Sequence, residues 1–232
     1  MIWKILLLIL TLTSQAQASE CTTKEPYKVF LTFDDGPHIR YTPIVLDVLK
    51  KHHIHATFFI LGDRINKSTK PIIARMTAEG HTIGSHTFHH WDHRKYSTPA
   101  ARENITKPFK LWPEYFKSQL IRLPYGAGWF HSDRRHRIMT IVEELGAHHV
   151  GWHIDSQDWN KRRRKALTQR MMQEICKVHG GVILFHDIQA VTVRNLERWI
   201  ETIEDAGYII SNEEVPVDFA GDEKYNDKNN SK

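Results

Sequence analysis

Only two cysteines, Cys21 and Cys176, occur among the 232 residues, so neither a disulfide scaffold nor a cysteine-rich zinc module can hold this chain together. Twelve glycines and nine prolines are too few for a collagen-like or Pro/Gly-rich polymer. Neither sign of charge dominates: 32 Lys and Arg stand against 27 Asp and Glu, a formal charge of +5. At 41% apolar and 25% charged residues the chain falls outside the low-hydrophobicity class that stays disordered. Past the first dozen residues there is no apolar run long enough to span a bilayer, which takes about 20 residues. What is plentiful is histidine, at 16, the commonest metal-ligating side chain. Whether those histidines bind metal depends on their spacing.

The first residues read as a targeting segment. Met1-Ile2-Trp3-Lys4 is followed by an apolar run from Ile5 to Leu12, and Ala16-Gln17-Ala18 has the small-x-small form of a cleavage site. Residues 1–18 are expected to be a signal peptide; a short membrane anchor is the competing reading. The protein is then expected to be secreted or periplasmic, a monomer without a stable membrane anchor, and not a nucleic-acid binder. Export permits a disulfide between Cys21 and Cys176, and Cys176 reads equally well as a buried helix residue.

The body alternates strand-like and helix-like segments. Strands are expected at Tyr27–Phe33, Thr57–Ile60, Thr82–Gly84, Leu120–Arg122, Ala147–Trp152, Val182–Phe185 and Tyr208–Ile210. Helices are expected over Thr42–Lys51, Lys70–Glu79, Pro99–Leu111, Asp133–Leu145, Ala166–His179 and Val193–Ala206. The last has Leu196, Trp199, Ile200 and Ile203 as its apolar stripe. This is an α/β pattern with parallel strands. A doubly wound sheet is the default, but no glycine-rich turn follows the first strand. Polar clusters instead close several separate strands, where a (β/α) barrel places its chemistry. An incomplete (β/α) barrel is therefore expected over residues 19–210. Residues 211–232 lose periodicity and read as a polar, disordered C-terminal tail.

Five clusters carry the candidate chemistry. Asp34-Asp35 precedes Gly36-Pro37, where one carboxylate could ligate a metal and the other take a proton; a plain Asp-Gly turn is the alternative. In Ser85-His86-Thr87-Phe88-His89-His90-Trp91-Asp92-His93, two i,i+4 pairs, His86/His90 and His89/His93, would each share a helical face. Incidental histidines at a polar helix start are the alternative. Arg122-Leu123-Pro124-Tyr125-Gly126 could orient a carboxylate and offer backbone N–H groups to an oxyanion, or be an ordinary loop. Asp155, Asp158 and Trp159 follow the fifth strand, and Leu184-Phe185-His186-Asp187 ends the sixth. Four histidines within eight residues favour metal binding even alone, while the other clusters are weaker singly; five at successive strand ends point to one site.

Together, and in this order, they resemble the polysaccharide deacetylases of carbohydrate esterase family four. Thr32-Phe33-Asp34-Asp35-Gly36, His86-Thr87-Phe88-His89-His90, Arg122-Leu123-Pro124-Tyr125-Gly126, Asp155 to Trp159, and Leu184-Phe185-His186 match the family's five motifs across roughly Tyr27 to Ile210. One departure is Ser85, where the family more often has Asn. The resemblance implies a distorted (β/α) barrel of seven to eight parallel strands with one divalent metal, most often zinc. It implies that Asp35, His86 and His90 hold that metal, that Asp34 is the general base, and that Arg122 holds and tunes Asp34; a guanidinium nearby is expected to keep that carboxyl low and ionised. The Tyr125 N–H would bind the oxyanion. His186 would be the general acid tuned by Asp158, and Trp159 and Leu184 would wall the acetyl pocket. The implied reaction is hydrolysis of an N-acetyl group on an N-acetylglucosamine polymer.

Export favours peptidoglycan as the substrate over chitin, its oligomers or poly-N-acetylglucosamine. The Lys161-Arg162-Arg163-Arg164-Lys165 run could attract its carboxylates or be a solvated helix start. A non-catalytic carbohydrate-binding or metal-sequestering protein and a small-molecule amidase are the other readings. Asn66-Lys67-Ser68 and Asn104-Ile105-Thr106 match the glycosylation acceptor pattern.

Overall fold

The computed structural model describes residues 27–127 and 132–217, with only the backbone of residues 132–135. The expected signal peptide, Cys21 and residues 218–232 lie outside the described residues. Strands and helices alternate: β1 (Lys28–Asp34), α1 (Thr42–Lys51), β2 (Thr57–Ile60), α2 (Lys70–Ala78), β3 (Thr82–Ser85), α3 (Thr98–Leu111), β4 (Leu120–Ile121), α4 (Ser132–Glu144) and β5 (His148–His149). Then follow β6 (Ile154–Asp155), α5 (Leu167–Val178), β7 (Gly181–His186), α6 (Ala190–Asp205) and β8 (Ile209–Ile210). α1, α2 and α3 each carry a proline in the first turn, where its missing N–H and fixed φ suit a helix start.

The sheet runs β5-β4-β3-β2-β1-β7-β6, and β8 pairs with the beginning of β1. Every pairing is parallel. This is a curled, open (β/α) barrel, as expected. It stays open for a countable reason. Residues 150–153 are all that separate β5 from β6, whereas two parallel neighbours need a crossover of a dozen or more. The strand expected at Ala147–Trp152 is therefore shorter. After His149 the chain crosses the gap and resumes as β6 against β7.

Alternation along the strands separates two cores. Val29, Leu31, Phe33, Phe58, Ile60, Ile121, Ile183 and Phe185 face the helices, with the Leu196, Trp199, Ile200 and Ile203 stripe of α6 packed against them. Phe59, Leu120, Val150, Val182 and Val215 fill the other, barrel side. Val215 shows that the C-terminal segment, read from the sequence as tail from residue 211, packs into the barrel through residue 217; its apolar side chain closes space the short strands leave. Gly84 is required on that side, since a Cβ there would lie 2.6 Å from the Phe59 ring.

The same alternation decides which polar residues enter the barrel. Asp34 ends β1 in register with His186 of β7, both on the side opposite Phe33 and Phe185. Arg122 follows Ile121 and so turns inward. Cys176 of α5 is disulfide-bonded, which replaces the buried-thiol reading. No helix among the described residues is long and apolar enough to cross a membrane.

Candidate active site

Arg122 is the largest polar side chain that is fully buried. Its guanidinium donates to Asp34 Oδ1 at 2.9 Å and Thr32 Oγ1 at 2.8 Å on β1. It also donates to the carbonyls of Val150 at 3.1 Å and Gly151 at 2.7 Å. Those two carbonyls belong to the gap-crossing segment, whose ends still donate to the flanking strands, Val150 N–H to the Ile121 carbonyl and His153 N–H to that of Val182. One arginine thus satisfies the broken sheet and fixes a carboxylate. It also stacks over the Phe59 ring, 4.2 Å from its centroid.

Asp34 is 2% exposed. Burial raises its carboxyl above the ordinary value; Arg122, His186 and His90 pull it down without cancelling that lift. The expectation that Arg122 keeps Asp34 low is corrected accordingly. The ion pair acts in the expected direction, but desolvation of a fully buried carboxylate outweighs it.

Asp35, one residue on, has φ 73, a left-handed backbone that turns its side chain away from that of Asp34. It meets His86 and His90, whose Nε2 atoms lie 3.5 and 3.4 Å from Asp35 Oδ1. These three are one of two groups among the described residues whose ligand atoms all lie within 4.8 Å of one another. His86 Nδ1 donates to the Arg122 carbonyl at 2.7 Å, which leaves Nε2 as a bare lone pair. Burial keeps that imidazole neutral, pushing it down to about 3. Asp35 Oδ1 is buried and has no hydrogen-bond partner. An acceptor oxygen therefore faces an acceptor nitrogen inside the protein, an arrangement that repels unless a cation sits between them. The donor set of one carboxylate and two imidazoles suits zinc.

His86 and His90 are not on a helix. Residues 86–92 are irregular, with Thr87 at φ 71, and the loop itself folds the two rings to 5.1 Å apart. The i,i+4 spacing found the pair through the wrong geometry. Its competitor is separated. His89 Nδ1 lies 2.9 Å from Asp63 Oδ2, while His93 is buried against Asn104, with Nε2 at 2.8 Å. Asn104, which matched a glycosylation pattern, is itself buried. Its amide donates to the His89 carbonyl and accepts from the His89 N–H, so α3 fastens the ligand loop.

On the opposite side, His186 Nδ1 lies 2.7 Å from Asp158 Oδ1. Asp158 Oδ2 accepts from the His186 N–H and from Thr192 of α6. Burial alone would lower His186, but Asp158, joined by Asp35 and Asp34, outweighs it and lifts the ring to about 9. The imidazolium form therefore holds through neutral pH. Leu184 is buried on the inward side of β7, while Trp159 is half exposed, its Nε1–H 3.4 Å from Asp155 Oδ1. Tyr125 stands in a short turn, Pro124–Gly126, at φ 59 with its ring 4.7 Å from that of His90. As the second residue of that turn its N–H is one of the donors a helix start leaves unpaired.

Asp187 is the residue the motifs passed over. It is fully buried, accepts from Thr42 Oγ1, and keeps Oδ1 without a partner. Burial and Asp35 raise it to about 7, against Thr42 and Arg64. Gly36 rests directly on it: a Cβ there would come within 2.4 Å of Asp187 Oδ2. Only the adjacency of His186-Asp187 hinted at this. Gly36→Ala should push the Asp34-Asp35 turn off that seat, lowering zinc affinity by at least about 10-fold and stability by about 1–3 kcal/mol. Calorimetric zinc titration beside a melting curve checks this; wild-type affinity would refute it.

A family model described as polysaccharide deacetylase matches residues 22–150, more than half of the chain. The chain belongs to the polysaccharide deacetylase family. The match holds the first three clusters; Asp158 and His186 lie beyond it. Over 184 residues the chain is 33% identical to the peptidoglycan-N-acetylglucosamine deacetylase PgdA of Listeria monocytogenes, covering 78% of this chain and 37% of that protein. The chain thus spans little more than a third of that relative. It is 31% identical over 198 residues to a chitooligosaccharide deacetylase of Sinorhizobium fredii, covering 78% of this chain and 88% of the relative. The solved peptidoglycan deacetylase PdaC of Bacillus subtilis superposes with a TM-score of 0.65 at 28% identity, over 80% of this chain and 87% of that one.

Proposed function

We propose that this deacetylase-family protein is a metal-dependent hydrolase that removes N-acetyl groups from an N-acetylglucosamine polymer, with peptidoglycan as its substrate. The observation carrying this is the pairing, in one buried site, of an Arg122-held carboxylate with a His186 imidazolium. In the same site Asp35, His86 and His90 bring their ligand atoms within 4.8 Å of one another. Those three would hold a divalent ion, zinc by donor type, which when bound polarises the acetyl carbonyl and favours deprotonation of water.

The remaining chemistry belongs to the chain. Asp34 accepts the proton of the attacking water, and Arg122 keeps its carboxylate aimed. The Tyr125 N–H binds the negative oxygen of the tetrahedral intermediate in this reading. His186, held protonated by Asp158, gives its proton to the departing amine. Leu184 and Trp159 flank the acetyl methyl. Acetate and a free amino sugar leave.

Export supports peptidoglycan, through the expected signal peptide at residues 1–18 and the disulfide at Cys176. A second substrate, a neutral chitooligosaccharide, is favoured by the relative from Sinorhizobium fredii, most of whose length this chain covers.

Chelation should abolish acetate release, and added zinc should restore it. Mass spectrometry of peptidoglycan and chitin oligomers, each incubated with the protein, then names the polymer. Zinc bound without acetyl loss from either would overturn the enzymatic reading in favour of a carbohydrate binder.

A further inference from the structure

A groove of about 480 Å³ lies between α5 and α6. Buried Leu167 and Trp199 form its floor, and exposed Arg164, Arg198 and Gln169 with half-buried Asn195 form its rim. Both walls grow from the active site. α5 follows the loop that carries Asp158 and Trp159, and α6 begins at Ala190, four residues after His186. In a parallel β/α fold helix starts lie on the face that carries the strand ends and the chemistry; the groove begins there, at Val191 in the first turn of α6, and runs along that helix to Thr202, with Trp199 bonded to Thr168 of α5 at 2.9 Å on the way.

Arg164 and Arg198 have no ion-pair partner among the described residues, and neither do Lys161, Arg162, Arg163 or Lys165. The loop that presents them is nonetheless held in place. The Arg170 guanidinium donates to the carbonyls of Arg163 and Lys165. Ala166 takes a left-handed backbone at φ 57, a conformation unfavourable for a non-glycine residue that persists only where its surroundings enforce it. Unpaired guanidiniums carried on an anchored backbone beside a cavity are suited to forked hydrogen bonds with carboxylates. The amides of Gln169 and Asn195 suit peptide groups, and the apolar floor suits small side chains.

We propose that this groove receives the short, carboxylate-bearing peptide branch of the substrate glycan, so that the enzyme prefers peptide-substituted strands over bare ones. This rests on the deacetylase reading and narrows its substrate. The adjacent basic run then adds long-range attraction for the same carboxylates, and the preference should weaken as salt rises.

The test compares the wild type with an Arg164→Gln/Arg198→Gln variant on two substrates: glycan strands with their peptides, and the same strands after the peptides have been cut away. The variant should raise KM on peptide-bearing strands about 10-fold, leave kcat there unchanged, and leave both constants unchanged on bare strands. Equal effects on both strands, or no effect on either, would overturn the proposal. If the wild type deacetylates neither, the deacetylase reading has failed; the groove is then judged by calorimetry with a disaccharide-tetrapeptide and the bare disaccharide. Tighter binding of the peptide form, lost in the double variant, upholds the groove; equal binding of both disaccharides refutes it.

Discussion

Asp34→Asn is expected to lower turnover by about 10³-fold or more while zinc binding stays within about threefold of the wild type. The amide keeps the size of the carboxylate and its acceptor oxygen toward Arg122, 2.9 Å away, so the barrel interior keeps its shape. What it loses is the capacity to take a proton from water. Asp35, His86 and His90 form the group that could hold the ion, and Asp34 is not in it. Acetate release and zinc stoichiometry, measured on one preparation, separate the roles. Near-normal turnover would remove Asp34 as the base, and loss of zinc would make it a ligand.

Asp158→Asn should have the next largest effect, a fall in kcat of about 10²-fold at pH 8 together with a displaced pH profile. His186 acts as an acid only while protonated. In the wild type its pKa of about 9 keeps it charged through neutrality, and activity declines as pH rises through that value. Asp158 is the main force raising it against burial. With a neutral amide in its place, burial prevails and favours the uncharged ring, so the alkaline limb moves to lower pH. The same linkage bears on stability. A raised histidine pKa stabilises the fold fully below its unfolded value near 6.5, and that contribution disappears as pH climbs through about 9. A kcat/KM profile from pH 5 to 10 for both proteins decides the matter. An alkaline limb that does not move would show that some other group is the acid.

How much of this was legible beforehand follows from which interactions are local. The helix from Thr42 to Lys51 and the α6 stripe came straight from apolar periodicity, because a helix buries one face whatever its partners. The short strands were harder. β6 is two residues long, and Ile154-Asp155 has no period to detect. The break between β5 and β6 follows from a connection length that means something only once both strands are assigned neighbours. The five clusters were readable as strand endings, which is why the site could be named residue by residue.

Charge balance was where sequence reasoning went astray. An arginine beside an aspartate reads as a lowered pKa until burial is known, and Asp34 lies deep enough for desolvation to prevail. Asp187 offered only its place beside His186 and Asn104 only a glycosylation pattern, since each acts by packing against a segment distant in the chain, Gly36 with Thr42 in one case and the His89–His93 stretch in the other.

By itself, the order of residues determined the alternation of elements, the strand ends at which polar groups gather, and which two carboxylates and three histidines are the candidates for the chemistry. Those are properties of neighbours along the chain. The tertiary structure decided the rest: which histidine pair converges, why Arg122 bonds to both Asp34 and the open seam of the barrel, and that Asp35 faces the Nε2 atoms of two imidazoles. Each of these depends on burial and on contact between segments dozens of residues apart, quantities set by how the sheet curls rather than by any local pattern.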